Sequence, residues 1–323
     1  MTFIKKNLNY VILLWLLVAF MIAGTFSDLR ISQSVNELNA GEYYSKNFFA
    51  VFFECFGETP VYILPSLALG VLFFYLKRDE KLKKSAKIIL MVFCFVCAIG
   101  LNYYGSHKML KYYNLHVATK KLDGALKLVC EAGLGVAFTV LWFFIASFVK
   151  EKYLKSLAIC SLIVIFTAVF SQALTQALKP FFGRARYRLM NVTGDFSEFT
   201  KWYEINIGKK VSAEQLLMGI EKDGYKSFPS GHTTAAATVF AIMSLASVFE
   251  IDKKRETLIF IATCLFVFIV AYSRIMMGAH YLTDVAMGAI IGLLSFLVAR
   301  VIVLKTVKII EKGDCFLTRK LFA

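Results

Sequence analysis

Eight apolar runs punctuate the chain, at about 8–26, 60–76, 88–104, 125–149, 156–178, 232–249, 257–276 and 282–304. Each is close to the roughly 20 mostly apolar residues that a helix needs to cross a bilayer core. The pattern therefore predicts an all-α, polytopic membrane helix bundle of about eight spans. The first run, preceded by Lys5 and Lys6 and carrying Ala23-Gly24 near its end, also has the outline of a signal peptide. Its length favours a retained anchor. Tyr43–Glu58 differs in kind: Phe49, Phe52, Phe53 and Phe56 recur at helical spacing while Lys46 and Glu54 fall elsewhere. That segment is expected to be a short helix, either lying in the membrane interface or packed on the bundle. No repeat, low-complexity tract or linker separates the runs, so one membrane domain is expected.

Composition agrees. Apolar residues make up 58% of the 323 and charged residues 18%, with a mean hydropathy of +0.64; soluble domains have about 45–50% and about 25%. Too little polar surface exists to cover a soluble core of this length. Of the seven cysteines, Cys94, Cys97, Cys130, Cys160 and Cys264 lie inside apolar runs, where a thiol behaves as a small hydrophobe. The Cys94-x-x-Cys97 pair lacks the strand-to-helix setting of a redox motif. No metal-ligand cluster is visible, and neither a metal nor a cofactor is expected.

The net charge of +15 would suggest nucleic acid in a soluble protein. In a membrane protein, basic loops mark the cytoplasmic side instead. Lys77–Lys84, the group Lys150, Lys152 and Lys155, the group Lys253, Lys254 and Arg255, and the tail from Lys305 fall on one side of eight alternating spans. Lys108, Lys111, Lys120 and Lys121 lie opposite, as does the basic loop 179–231. There, function is expected to override topology. No nucleic-acid partner is expected.

Four helix ends meet on that outer side. The fifth run ends in Lys179-Pro-Phe-Phe-Gly-Arg-Ala-Arg186, the sixth opens on Pro229-Ser-Gly-His232, the seventh ends in Ser273-Arg274, and the eighth begins near His280-Tyr-Leu-Thr-Asp284. A Ser230-Gly231 turn into a helix presents backbone N–H groups at the positive end of the helix dipole, and glycine admits an oxyanion closely. Ser230 adds a hydroxyl, and Lys179, Arg186 and Arg274 add charge, the arginine forks matching phosphate oxygens. At helical i,i+4 spacing Asp284 reaches back to the Nδ1–H of His280, leaving Nε2 with its lone pair. Such an imidazole serves as a general base or as a nucleophile on phosphorus. His232 is then placed to protonate a leaving oxygen. Arg188 and Arg300 are taken as membrane-edge arginines snorkelling to headgroups, and His107 and His116 as solvated loop histidines. Gly288 and Gly292 form a small-xxx-small pair expected to be a helix contact.

The three clusters together resemble the signature of the type-2 phosphatidic acid phosphatase superfamily, which includes lipid phosphate phosphatases, undecaprenyl pyrophosphate phosphatases, glucose-6-phosphatases and vanadium haloperoxidases. The resemblance implies that His280 attacks phosphorus to give a phosphohistidine, oriented by Asp284. It implies that His232 protonates the leaving group while Lys179, Arg186, Ser230, Gly231 and Arg274 hold phosphoryl oxygens. The signature covers 179–284, and a six-helix core would run from about 88 to 304. Residues 1–87 then form an extension with two further spans, and 88–323 the phosphatase core with its outer loop 179–231. One position departs: where the family has Arg-Pro, Arg186 is followed by Tyr187, which bears on loop geometry and substrate class.

A site at headgroup level suits a substrate anchored by its own chains. The expectation is an integral protein of a bacterial plasma membrane that hydrolyses undecaprenyl pyrophosphate, phosphatidic acid or phosphatidylglycerol phosphate on the outer side. Its partners are that lipid and the membrane, with the oligomeric state left open. The loop 179–231, with Trp202, Tyr203, Asp195, Glu198, Glu204, Lys209 and Lys210, is either a lid that reads the headgroup or a plain folded loop. Two other functions fit the same residues: a phosphotransferase passing the phosphoryl group to another acceptor, and a lipid-binding or flipping protein that merely holds phosphate. An oriented imidazole argues against the second, and a haloperoxidase would need no membrane bundle.

Overall fold

The computed structural model describes residues 7–311 except 37, 81 and 119–121; Lys5, Lys6, Lys81, Lys120, Lys121 and Cys315 lie outside the described residues. No strand occurs among the described residues. In chain order the helices are α1 (Leu8–Val35), α2 (Phe48–Phe56), α3 (Pro60–Arg78), α4 (Lys84–His116), α5 (Gly124–Ser147), α6 (Glu151–Phe182), α7 (Tyr187–Thr193), α8 (Ala213–Leu217), α9 (Gly231–Ala236), α10 (Met243–Val248), α11 (Lys253–Met276) and α12 (Leu282–Glu311). Among the described residues, seven helical segments are long and apolar enough to cross a membrane, and the chain is an integral membrane protein.

The sixth apolar run departs from expectation. Instead of one long helix it forms α9, a 3₁₀ stretch Ala237–Ile242 and α10, and its continuous apolar part, Gly231–Ala246, is short. Its hydroxyls compete with the helical ladder: Thr234 Oγ1 donates to the Ser230 carbonyl at 2.9 Å and Ser244 Oγ to that of Ala241 at 2.7 Å.

The chain divides into two compact units. One comprises Thr59–Val169, Thr238–Ala262 and Ser295–Ala323. In it α3, α4 and α5 pack closely, around Leu69, Cys94, Ala98 and Phe143. Buried Asn102 of α4 donates to Ser66 Oγ of α3 at 2.6 Å and Thr139 Oγ1 of α5 at 2.9 Å. His107 is not a loop residue: it sits in α4, with Nδ1 3.0 Å from the buried Glu131 carboxylate.

The second unit comprises Met1–Glu58, Phe170–Ala237 and Thr263–Leu294 and holds all the candidate site residues. Here the aromatic segment resolves into α2, capped by Asn47 and packed inward through Ala50, Glu54 and Cys55. Ala50 joins Met276, Met277 and Ala279 in one cluster, while Phe48 is 81% exposed. The acid is therefore an inward residue, Phe48, Phe52 and Phe56 form the outer edge, and Phe49 packs against that cluster.

The glycines of α12 let α9 approach. A Cβ on Gly288 would lie 2.7 Å from the Ser230 carbonyl oxygen, and one on Gly292 2.3 Å from the Ala237 Cβ. The small-xxx-small pair is a helix contact. Gly292→Val is expected to cost about 1–3 kcal/mol by overpacking, read as a lower unfolding temperature in detergent. An unchanged transition would contradict this account of the contact.

Candidate active site

The site is organised around a residue that the sequence patterns did not single out. After α6 the chain turns at Gly183 (φ +47°), where a Cβ would stand 2.0 Å from the Asn206 carbonyl oxygen, a place open only to glycine. The turn sends Arg184 inward to 1% exposure. Its Nη1 donates to Asp284 Oδ1 at 2.6 Å and Thr283 Oγ1 at 2.9 Å, its Nη2 to Asp28 Oδ2 at 2.9 Å and its Nε to the Thr200 carbonyl at 2.8 Å. Tyr281 lies against the guanidinium, 4.2 Å from ring centroid to Cζ. Asp28 of α1 also accepts from Thr283, through its backbone N–H at 3.0 Å and through its hydroxyl. Gly24 lets α1 come this close, since a Cβ there would be 2.6 Å from Thr283 Cγ2.

Asp284 carries the order onward. It stands at the third position of α12, and its Oδ2 accepts the Tyr281 backbone N–H at 2.9 Å, as the acid of a capping box does. The same oxygen accepts the Ser227 hydroxyl at 2.5 Å. His280 precedes α12, so the i,i+4 geometry expected for the His280–Asp284 pair does not apply. His280 Nδ1 instead lies 2.7 Å from the Ser227 carbonyl oxygen, and the Asp284 carboxylate is 3.7 Å away. A carbonyl can only accept, so Nδ1 carries the proton and Nε2 the lone pair. Burial pulls the His280 imidazole down from 6.5 to about 3, against the opposing influence of Asp284 and with Arg186 and Lys179 pushing the same way.

Lys179 and Arg186 are close enough for their charges to act on that ring. Lys179 Nζ, at the end of α6, is 3.3 Å from where a Cβ on Gly231 would sit, and Ser230 N–H donates to the Asp284 carbonyl at 3.0 Å. The Ser230 hydroxyl is engaged at the start of α9, with Thr233 Oγ1 at 3.0 Å. Arg274, at the end of α11, donates from Nη2 to Glu54 Oε1 at 2.8 Å, and Arg186 from Nη2 to Asp223 Oδ2 at 2.8 Å. Arg186 Nε and the Nε and Nη1 of Arg274 are buried without a hydrogen-bond partner among the described residues. His232 has Nδ1 3.0 Å from Glu58 Oε1 and Nε2 3.2 Å from the Glu54 carbonyl oxygen. All eight sequence-predicted residues thus lie in one connected neighbourhood of the second unit.

Residues 160–308, which contain all eight, match the model of the PAP2 superfamily. The match covers just under half of the chain. The chain is also similar to phosphatidylglycerophosphatase B of Bacillus subtilis (strain 168), 33% identical over 76 residues, which are 23% of this chain and 37% of that protein. The match therefore spans little more than a third of the relative's length. No solved structure matches the chain.

Within the matched stretch, Arg188 departs from the snorkelling expected of it. It is 1% exposed, 3.4 Å from Glu221 and 3.6 Å from Glu54, with Tyr43 4.5 Å from its guanidinium carbon. Tyr187, in the place of the family proline, is the first residue of α7, a position that proline favours. The phenol ring packs beside Phe196 and Gly278. The loop 179–231 is folded: Trp202 Nε1 donates to Thr25 Oγ1 at 2.8 Å, and Lys209 pairs with Glu198 at 2.7 Å.

Asp28, Glu54 and Glu58, all outside the matched stretch, complete the cluster. The available signal was a carboxylate inside an apolar or aromatic helix, costly unless partnered. Among the described residues no group of three or more His, Cys, Asp or Glu is arranged to hold a metal ion. Arg184→Met would leave Asp28 and Asp284 buried without their cation, a loss of about 3–5 kcal/mol. A marked fall in unfolding temperature in detergent is expected; an unchanged one would remove Arg184 from the centre of this network.

Proposed function

We propose that the protein is a lipid phosphate or pyrophosphate phosphatase working through a phosphohistidine. The observation that carries the reading is His280, buried, with its proton held on Nδ1 by the Ser227 carbonyl and with the charges of Arg186 and Lys179 acting on its ring. Nε2 attacks phosphorus, a P–N bond forms, and the P–O bond to the leaving group breaks. The departing oxygen takes a proton from His232. Water then attacks the phosphohistidine, its proton returns to His232, and phosphate leaves with His280 restored.

Lys179, Arg186, Arg274, Ser230 and Gly231 hold the equatorial oxygens as charge shifts through the transition state. Asp284 steadies His280 by way of Ser227 and the Tyr281 amide rather than by gripping the ring, and it is the nearest carboxylate to the imidazolium-like intermediate. No step calls on a metal. Helix ends at headgroup depth suit a substrate anchored in the membrane, and the site is assigned to the extracytoplasmic face of a bacterial plasma membrane. Undecaprenyl pyrophosphate, phosphatidic acid and phosphatidylglycerol phosphate are the candidate substrates; similarity to a phosphatidylglycerophosphatase supports including the last.

Purified protein in detergent should release phosphate from a panel of these lipids, in EDTA and without any other acceptor, with inhibition by vanadate. Retention of most activity by His280→Ala would remove the nucleophile, and loss in EDTA would remove the metal-free route. Phosphate transfer to an added alcohol with no release in its absence would favour the phosphotransferase.

The low proton affinity of His280 has a sign that can be checked. The ring is neutral above about pH 3 when folded but gains its proton near 6.5 when unfolded. Its contribution to stability is present above 6.5 and is lost as pH falls from there toward 3. In the rate profile His280 should set no acid limb near 6.5. Titration of its ring by NMR at an ordinary value would contradict the assignment.

A further inference from the structure

The PAP2 match begins at residue 160, yet His232 is held by residues far upstream of it. Glu58 Oε1 is 3.0 Å from Nδ1, and the Glu54 carbonyl oxygen is 3.2 Å from Nε2. The histidine is 6% exposed and the Glu58 side chain 14%. Both neighbours are acceptors. A ring bearing a proton on each nitrogen satisfies both of them, whereas a neutral ring sets one lone pair against an oxygen. The contact is also fixed in place. Glu54 is tied to Arg274, four residues before Glu58. Gly57 packs against α11, where a Cβ would stand 3.0 Å from Val270 Cγ1.

We infer that Glu58 is the positioning residue of His232, holding Nδ1–H so that the ring presents Nε2–H as the acid for the leaving oxygen. This rests on the phosphatase reading above. During cleavage the longer contact, Nε2 to the Glu54 carbonyl, gives way to the leaving oxygen. The Nε2–H bond breaks as the P–O bond breaks, the proton goes to that oxygen, and the bonding pair stays on Nε2. Glu58 keeps its charge and the Nδ1–H throughout, so one tautomer of the neutral ring remains, ready to take a proton from the attacking water. The extension thereby supplies one carboxylate-held histidine to a site whose other histidine is held by a carbonyl.

A general acid matters in proportion to the basicity of the oxygen that departs, typically by about 10²–10⁴-fold. The test follows the first turnover, before water attacks the phosphohistidine, and compares dioctanoyl phosphatidic acid, whose alkoxide needs a proton, with p-nitrophenyl phosphate, whose phenolate leaves without one. Glu58→Gln should slow first-turnover release of diacylglycerol by about 100-fold or more and leave the first-turnover burst of nitrophenolate within a few-fold of wild type. His232→Ala should show the same split, and adding Glu58→Gln to it should cost little more. The retained nitrophenolate burst reports the fold. If Glu58→Gln does not fold, the Glu58→Ala/His232→Ala double variant replaces it and should match His232→Ala alone. Equal first-turnover losses on both substrates, an unslowed first turnover of phosphatidic acid, or a further large loss in the double variant would each overturn the inference. Wild-type protein inactive on both substrates would overturn the phosphatase reading and this inference with it.

Discussion

One buried guanidinium sets the terms for the rest of the site. Arg184 has no route to water, so its charge has to be met inside the protein, and it is met by acids that lie far apart in sequence, Asp28 and Asp284. Neither acid could be buried without it. Asp284, once fixed, takes the Ser227 hydroxyl and the Tyr281 amide; Ser227 in turn takes the Nδ1–H of His280. The orientation of the proposed nucleophile is thus the last link of a chain of satisfied polar groups that starts at a cation which need not meet substrate.

The membrane helices were legible because apolar runs of spanning length have few other uses, and the candidate site was legible because its residues sit in three short clusters at run ends. What stayed hidden depended on tertiary partners. Asp28 fell just beyond the first apolar run, although α1 continues to Val35; an acid there has meaning only once Arg184 is known to face it. Glu54 was placed off the aromatic stripe correctly, but an off-stripe acid on a short helix suggests solvent, and burial against Arg274 reverses that. Arg188 at the edge of an apolar run has the setting of a headgroup arginine, whereas Tyr43 and Glu221 enclose it. The His280–Asp284 spacing suggested a helical pair, but α12 begins after His280, and a carbonyl takes the role assigned to the carboxylate. The sixth run has the composition of a span and not its regularity, because hydroxyls and small residues serve a close contact with α12.

The net positive charge divides between loops and site, and within the site it is balanced locally. Arg184 faces two aspartates, Arg186 faces Asp223, Arg188 faces Glu221 and Glu54, and Arg274 faces Glu54. Such pairing lets several arginines share a small buried volume that like charges alone would push apart. Some of the acids come from the folded loop and others from the N-terminal segment, so the charge state of the cluster is a joint property of parts well separated along the chain.

Glu54 is where this balance has its sharpest consequence. Its carboxylate is the common neighbour of Arg274 and Arg188, and by meeting their charge it lets both be buried. Any other anion taken up by Arg274 has to share that guanidinium with a resident, covalently tethered competitor that cannot diffuse away. Fold stability and anion affinity therefore pull in opposite directions at this one side chain. The strength with which it holds Arg274 sets a ceiling on how tightly any such anion can bind there, and so favours its release.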